Sequence, residues 1–247
     1  MRRIRITFAY DGTDYHGWQV QPNLATVQGV LEGVVSEIEG KPVQVASSGR
    51  TDAGVHAMAQ VGAFSIENPI PVENLRRAMN RLLPPAIRIL ETAEAPESFH
   101  PRFDARAKTY EYRIFRDEVC SPFERRYVYH HPYPLRLEPM LEAAAVLEGE
   151  HDFTAFAASD EKDKLGISKV RTIFSSNLKE GDRRLVYRIR GSGFLKHMVR
   201  NIVGTLIECG RGNLDAEGVR GLLVPFPAKK GGPTAPPQGL FLISVDY

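Results

Sequence analysis

The chain has 247 residues, 43% hydrophobic and 25% charged, with a formal net charge of +2. That length can bury a real core in one large domain or two smaller ones, and glycine and proline are too sparse for a fibrous or disordered chain. Two distant cysteines, Cys120 and Cys209, exclude a disulfide framework. No apolar run reaches membrane-spanning length, and the opening MRRIRITFAY alternates too regularly for a signal peptide, so the expected location is cytoplasmic.

Residues 3–10 alternate, with Ile4, Ile6, Phe8 and Tyr10 on one face, which predicts a half-buried strand. Asp11-Gly12 opens a turn, and Pro22-Asn23 marks a loop. From Thr26 the period lengthens. Val27, Val30, Leu31, Val34, Val35 and Ile38 form one helical stripe behind a threonine cap. Strands are predicted at 43–48 and 59–66, a helix over 72–83 stopped by Pro84-Pro85, and a strand over 86–93.

A second block repeats the theme. Residues 107–116 alternate, with Tyr110, Tyr112 and Ile114 on one side; 137–149 are helical, 170–178 and 183–191 strand-like, and 194–209 helical up to Gly210. In that last helix Arg200 follows Lys196 by four residues, so the two share a face opposite the apolar stripe. The chain closes on a strand, GLFLISVDY. The order predicts an α+β fold of two similar halves, each an antiparallel sheet with packed helices of the RNA-recognition or ferredoxin-like kind. The boundary is placed within 96–106, giving halves 1–105 and 106–247, without a residue-level repeat between them. Charged 159–169 and glycine-proline-rich 227–237 read as mobile loops.

Arginines gather at Arg2, Arg3 and Arg5, and again at Arg183, Arg184, Arg188 and Arg190. Such clusters make a basic surface on a nearly neutral protein, either to grip phosphate or as solvated faces paired with glutamate. The histidines form no HExxH or comparable array, so no metal site is expected. The sharpest segment is GRTDAGVHA, residues 49–57, where glycines flank Arg50-Thr51-Asp52 between two predicted strands. An aspartate on so tight a turn serves as a nucleophile or simply bonds its own backbone in an Asx-turn.

This segment, with YDGTDYHGWQ (10–19), FHPRFDA (99–105), YEY (110–112), GFLKHMVRN (193–201) and APPQGL (235–240), resembles the tRNA pseudouridine synthase A family. The likeness covers nearly the whole chain in order. It implies a cleft between the halves in which Asp52 attacks a uridine at C1′ or C6, the glycosidic bond breaks, and the uracil turns over and rejoins through C5. It implies that Arg200 is the cation set against Asp52, that Tyr110 stacks on the uracil, and that Arg50 helps extrude the base. Tyr112, Tyr10, Asp11, Asp14 and Trp18 read as structural. The resemblance further implies no cofactor, tRNA as partner with its anticodon stem-loop modified at positions 38, 39 and 40, and a homodimer. Two rivals are a non-catalytic RNA-binding module and a base-removing hydrolase, the second distinguished by free uracil as product.

Overall fold

The computed structural model describes residues 1–159, 166–225, 227 and 229–247. Along the chain run β1 (Arg2–Tyr10), α1 (Val27–Glu39), β2 (Ala46–Ser47), β3 (His56–Ile66), α2 (Val72–Leu82) and β4 (Ile87–Ala95). There follow β5 (Ala107–Phe115), β6 (Tyr129–His130), α3 (Leu137–Val146), β7 (Gly149–Asp152), β8 (Val170–Gly181) and β9 (Arg184–Gly191). Helices α4 (Met198–Arg211) and α5 (Ala216–Arg220) and strand β10 (Leu240–Asp246) complete the chain.

The fold is mixed α+β, as expected, and the chain divides into two compact units. The first is Met1–Arg106 with Phe241–Tyr247, and the second is Ala107–Leu240. The closing strand thus lies almost wholly in the first unit, although chain order puts it with the second.

In the first unit β1 lies between β3 and β4 and is antiparallel to both. Its alternation works as written: Ile4, Ile6 and Phe8 are fully buried and Tyr10 nearly so. Helix α1 starts where Thr26 accepts a hydrogen bond from the Gly29 amide, and stops at Gly40, whose φ of 78° suits a residue without a side chain. β10 runs parallel to β3, with Phe241 opposite His56. The first unit's sheet is thus antiparallel except at this pairing. A strand arriving from the far end of the chain is not bound by hairpin geometry and can pair in either sense.

In the second unit the order is β5-β9-β8-β7, antiparallel throughout, with the short β6 parallel to β5. Tyr112 is fully buried and donates its hydroxyl hydrogen to the Pro236 carbonyl at 2.7 Å. This agrees with its reading as core. The predicted strand at 43–48 shrinks to two residues, and the predicted helix over 137–149 ends at Val146. β6, β7 and α5 lack any periodic signal long enough to read.

The helix expected over 194–209 begins only at Met198. His197 takes the left-handed conformation, φ 60°, and the Lys196 carbonyl accepts the Ala158 amide instead of joining a helical ladder. Lys196 is therefore off the helix, and the face it was expected to share with Arg200 does not exist. Of the two loops expected to be mobile, residues 160–165 and 228 lie outside the described residues. Residues 231–235 are docked. The Gly231 amide donates to the Ala155 carbonyl, the Gly232 amide to the Thr205 hydroxyl and the Ala235 amide to the Arg200 carbonyl.

Candidate active site

The segment carrying Asp52 leaves β2, turns, and re-enters the sheet as β3. Its near side is fixed by Gln60, a buried polar residue of β3. The Gln60 amide donates to the Gly49 carbonyl at 3.1 Å, and its oxygen accepts from the Ser48 hydroxyl at 2.5 Å and the Val61 amide at 3.1 Å. Burying a primary amide is unfavourable unless its groups are bonded, so these contacts tie the strand to the loop backbone.

The far side is held by the residues after β1. Tyr10 and Thr51 share a hydroxyl hydrogen bond of 2.8 Å, and the Trp18 amide donates to the Thr51 carbonyl. Burial pushes the Tyr10 phenol up to about 12, which keeps it protonated. The Gly54 amide, at φ 76°, reaches the Tyr15 carbonyl. A Cβ on Gly12 would lie 2.0 Å from the Val55 carbonyl oxygen, and one on Gly17 would lie 2.7 Å from that of Thr51. Backbone meets backbone on both sides of Asp52.

Asp52 is half-buried within this frame, while Arg50 two residues earlier is exposed. A carboxylate on a backbone fixed in this way suits covalent attack, and an exposed arginine two residues earlier suits contact with a base or phosphate. His56 is occupied structurally: its Nδ1 accepts the Gly12 amide at 3.1 Å, and its ring stacks on Phe241 at 4.7 Å.

Tyr110 and Arg200 lie in the second unit. Tyr110, in mid-β5, is buried, with its ring edge-on to Phe194 at 5.0 Å. Arg200 is half-buried in the first turn of α4. Its Nε donates to the Ala235 carbonyl at 2.8 Å, which fixes the plane of the guanidinium. Arg200 also lies near enough to Tyr112 to favour its phenolate, although burial outweighs this and raises that phenol well above its ordinary value.

Tyr10, Asp11 and Trp18 are structural as expected, yet they serve the loop as much as the core. Asp11 caps its turn by accepting from the Thr13 amide and hydroxyl. Gln60, Ser48 and Phe194 were not singled out in the sequence. The available signal was a glutamine at an inward position of a strand. Among the described residues, no three His, Cys, Asp or Glu side chains converge as a metal would require, and no helix is long and apolar enough to cross a membrane.

A family model for tRNA pseudouridine synthase matches residues 6–104 and 143–247. The class that this defines is an enzyme, an isomerase. The tRNA pseudouridine synthase A of Solibacter usitatus is 70% identical over 247 residues, covering the whole of both chains. That of Geotalea uraniireducens is 44% identical, again over the whole of both. That of Anoxybacillus flavithermus is 45% identical over 249 residues, all of this chain and 99% of the other. The chain belongs to the tRNA pseudouridine synthase A family.

Proposed function

We propose that this protein isomerises uridine to pseudouridine in the anticodon stem-loop of tRNA, at positions 38, 39 and 40, with Asp52 as nucleophile. The observation that carries the assignment is the Asp52 loop, whose backbone is clamped by Gly12, Gly17, Thr51 and Gln60 with Asp52 half-buried within it. The Asp52 carboxylate bonds to C1′ or C6 of the target. The bond between C1′ and N1 breaks, the uracil turns, and C5 bonds to C1′ as Asp52 is released. The C5 hydrogen leaves as a proton and N1 takes one up, so the RNA keeps its mass.

Arg200 supplies the positive charge that keeps such a carboxylate ionised, Tyr110 stacks on the uracil, and Arg50 fills the space left by the extruded base. No metal or organic cofactor enters this scheme. The protein works as a homodimer in the cytoplasm, supported by its family membership.

The test uses tRNA tritiated at uridine C5. The wild type should release tritium to water and yield no free uracil. Asp52→Asn preserves side-chain size and removes the nucleophile, so it should release none while still binding tRNA. An active Asp52→Asn protein, checked for deamidation, moves the chemistry to another residue. Free uracil as the main product makes the protein a hydrolase.

A further inference from the structure

Strands β5, β9 and β8 bury one face of the second unit's sheet, where Tyr110, Tyr112, Tyr187 and Ile189 point inward. By strand alternation the opposite face carries Glu111 and Arg113 on β5 and Arg188 and Arg190 on β9. Glu111 lies directly across from Arg188. Its side chain is 15% exposed; Arg113 Nε donates to it at 2.9 Å, and Arg188 Nη2 lies 3.4 Å from its other oxygen. One carboxylate thus holds two guanidiniums in place. Arg188 keeps 55% of its side chain exposed.

β8 adds a second, independent feature. Ile173 pairs with Gly191 and Ser175 with Arg190, so Phe174 is the extra residue of a bulge. It is turned outward, 47% exposed, and the Arg190 guanidinium lies over its ring at 5.1 Å. A bulge that places a large apolar ring in solvent under an arginine has no evident use in packing.

An aromatic face beside fixed guanidiniums matches an unstacked base with its flanking phosphates, and a continuous duplex exposes no base face to such a ring. We infer that this outer face is a second RNA contact, in which an unpaired nucleotide of the tRNA outside the anticodon arm stacks at Phe174 and Arg190. Adjacent phosphates lie against Arg188 and Arg113. The face is turned away from the one bearing Tyr110, so the two contacts engage different parts of the RNA. The inference rests on the reading that the protein acts on tRNA.

The test compares full-length tRNA with the isolated anticodon stem-loop, using Phe174→Ala and the double variant Arg188→Gln with Arg190→Gln. Phe174 and Arg188 are exposed and Arg190 is half-buried, so circular dichroism verifies folding of both variants. Each should weaken full-length tRNA binding about tenfold, and the double variant should lower the slope of log affinity against log salt by about 0.8, roughly the one phosphate contact at Arg188. Stem-loop affinity should stay at the parent value. Unchanged full-length affinity and slope would overturn the inference, as would equal losses on both RNAs. A changed mass by light scattering with tRNA binding intact would make the face a protein interface instead. Tritium release by the parent protein, measured alongside, separates failure of this contact from failure of the isomerase reading.

Discussion

Two glycines show at single-residue scale how the loop is held and how sharply position decides a substitution's sign. Gly17 has φ +85°, and a Cβ there would meet the Thr51 carbonyl oxygen at 2.7 Å. Gly17→Ala combines backbone strain with a clash against the main chain next to Asp52, so it should cost about 1–3 kcal/mol. Gly33 lies within α1, and a Cβ there meets nothing within 4 Å. Gly33→Ala should therefore stabilise by about 0.5–1 kcal/mol through helix propensity alone. Urea unfolding of the pair reads both signs, and tritium release should fall only in Gly17→Ala. Equal stability changes in the two variants would show that the Gly17 approach is not a constraint.

At the scale of elements, α4 presents Arg200 from its first turn, and the anchor is the Ala235 carbonyl on a docked segment. In the proposed scheme the guanidinium acts on Asp52, a contribution that matters to the chemical step more than to RNA affinity. Arg200→Ala should lower kcat by about 100-fold, the range for removing one electrostatic donor, and leave tRNA affinity within about threefold. Near-normal turnover would rule Arg200 out as the partner of Asp52. The sequence disclosed α4 but misplaced its start, because Leu195 extends the apolar spacing of Met198, Val199 and Ile202 backwards. Nothing in that spacing reports the left-handed turn at His197. β1 and α1 were legible because one face of each is buried, so periodicity records the burial directly. The parallel pairing of β10 with β3 joins residues nearly two hundred positions apart and leaves no local trace. The candidate site was proposed on a different kind of signal. Asp52 alone is indistinguishable from a turn residue, and only motifs spread over the chain single it out. Gln60 escaped notice because nothing local in the sequence shows that its amide is spent on the backbone of the preceding loop.

For the whole molecule, one buried histidine ties stability to pH. His131 is 1% exposed, and the Arg211 guanidinium lies 3.1 Å from its Nε2. Burial first, and then Arg211, holds its pKa below the ordinary histidine value. The folded protein thus keeps this ring neutral at pH values where the unfolded chain protonates it. Its contribution to stability is complete above the unfolded value of about 6.5 and is lost as pH falls from there toward the folded pKa, with a limiting slope of about 1.4 kcal/mol per pH unit. His131→Asn retains a polar group near Arg211 and removes the titration. Between pH 7.5 and 5.5, above the range where unperturbed carboxylates titrate, the wild type should lose more stability than this variant in urea unfolding. Lower stability of the variant at pH 7.5 alone would reflect packing and does not bear on the linkage, which is read from the difference between the two pH values. Parallel curves for the two proteins would show that His131 titrates alike in the folded and unfolded chains.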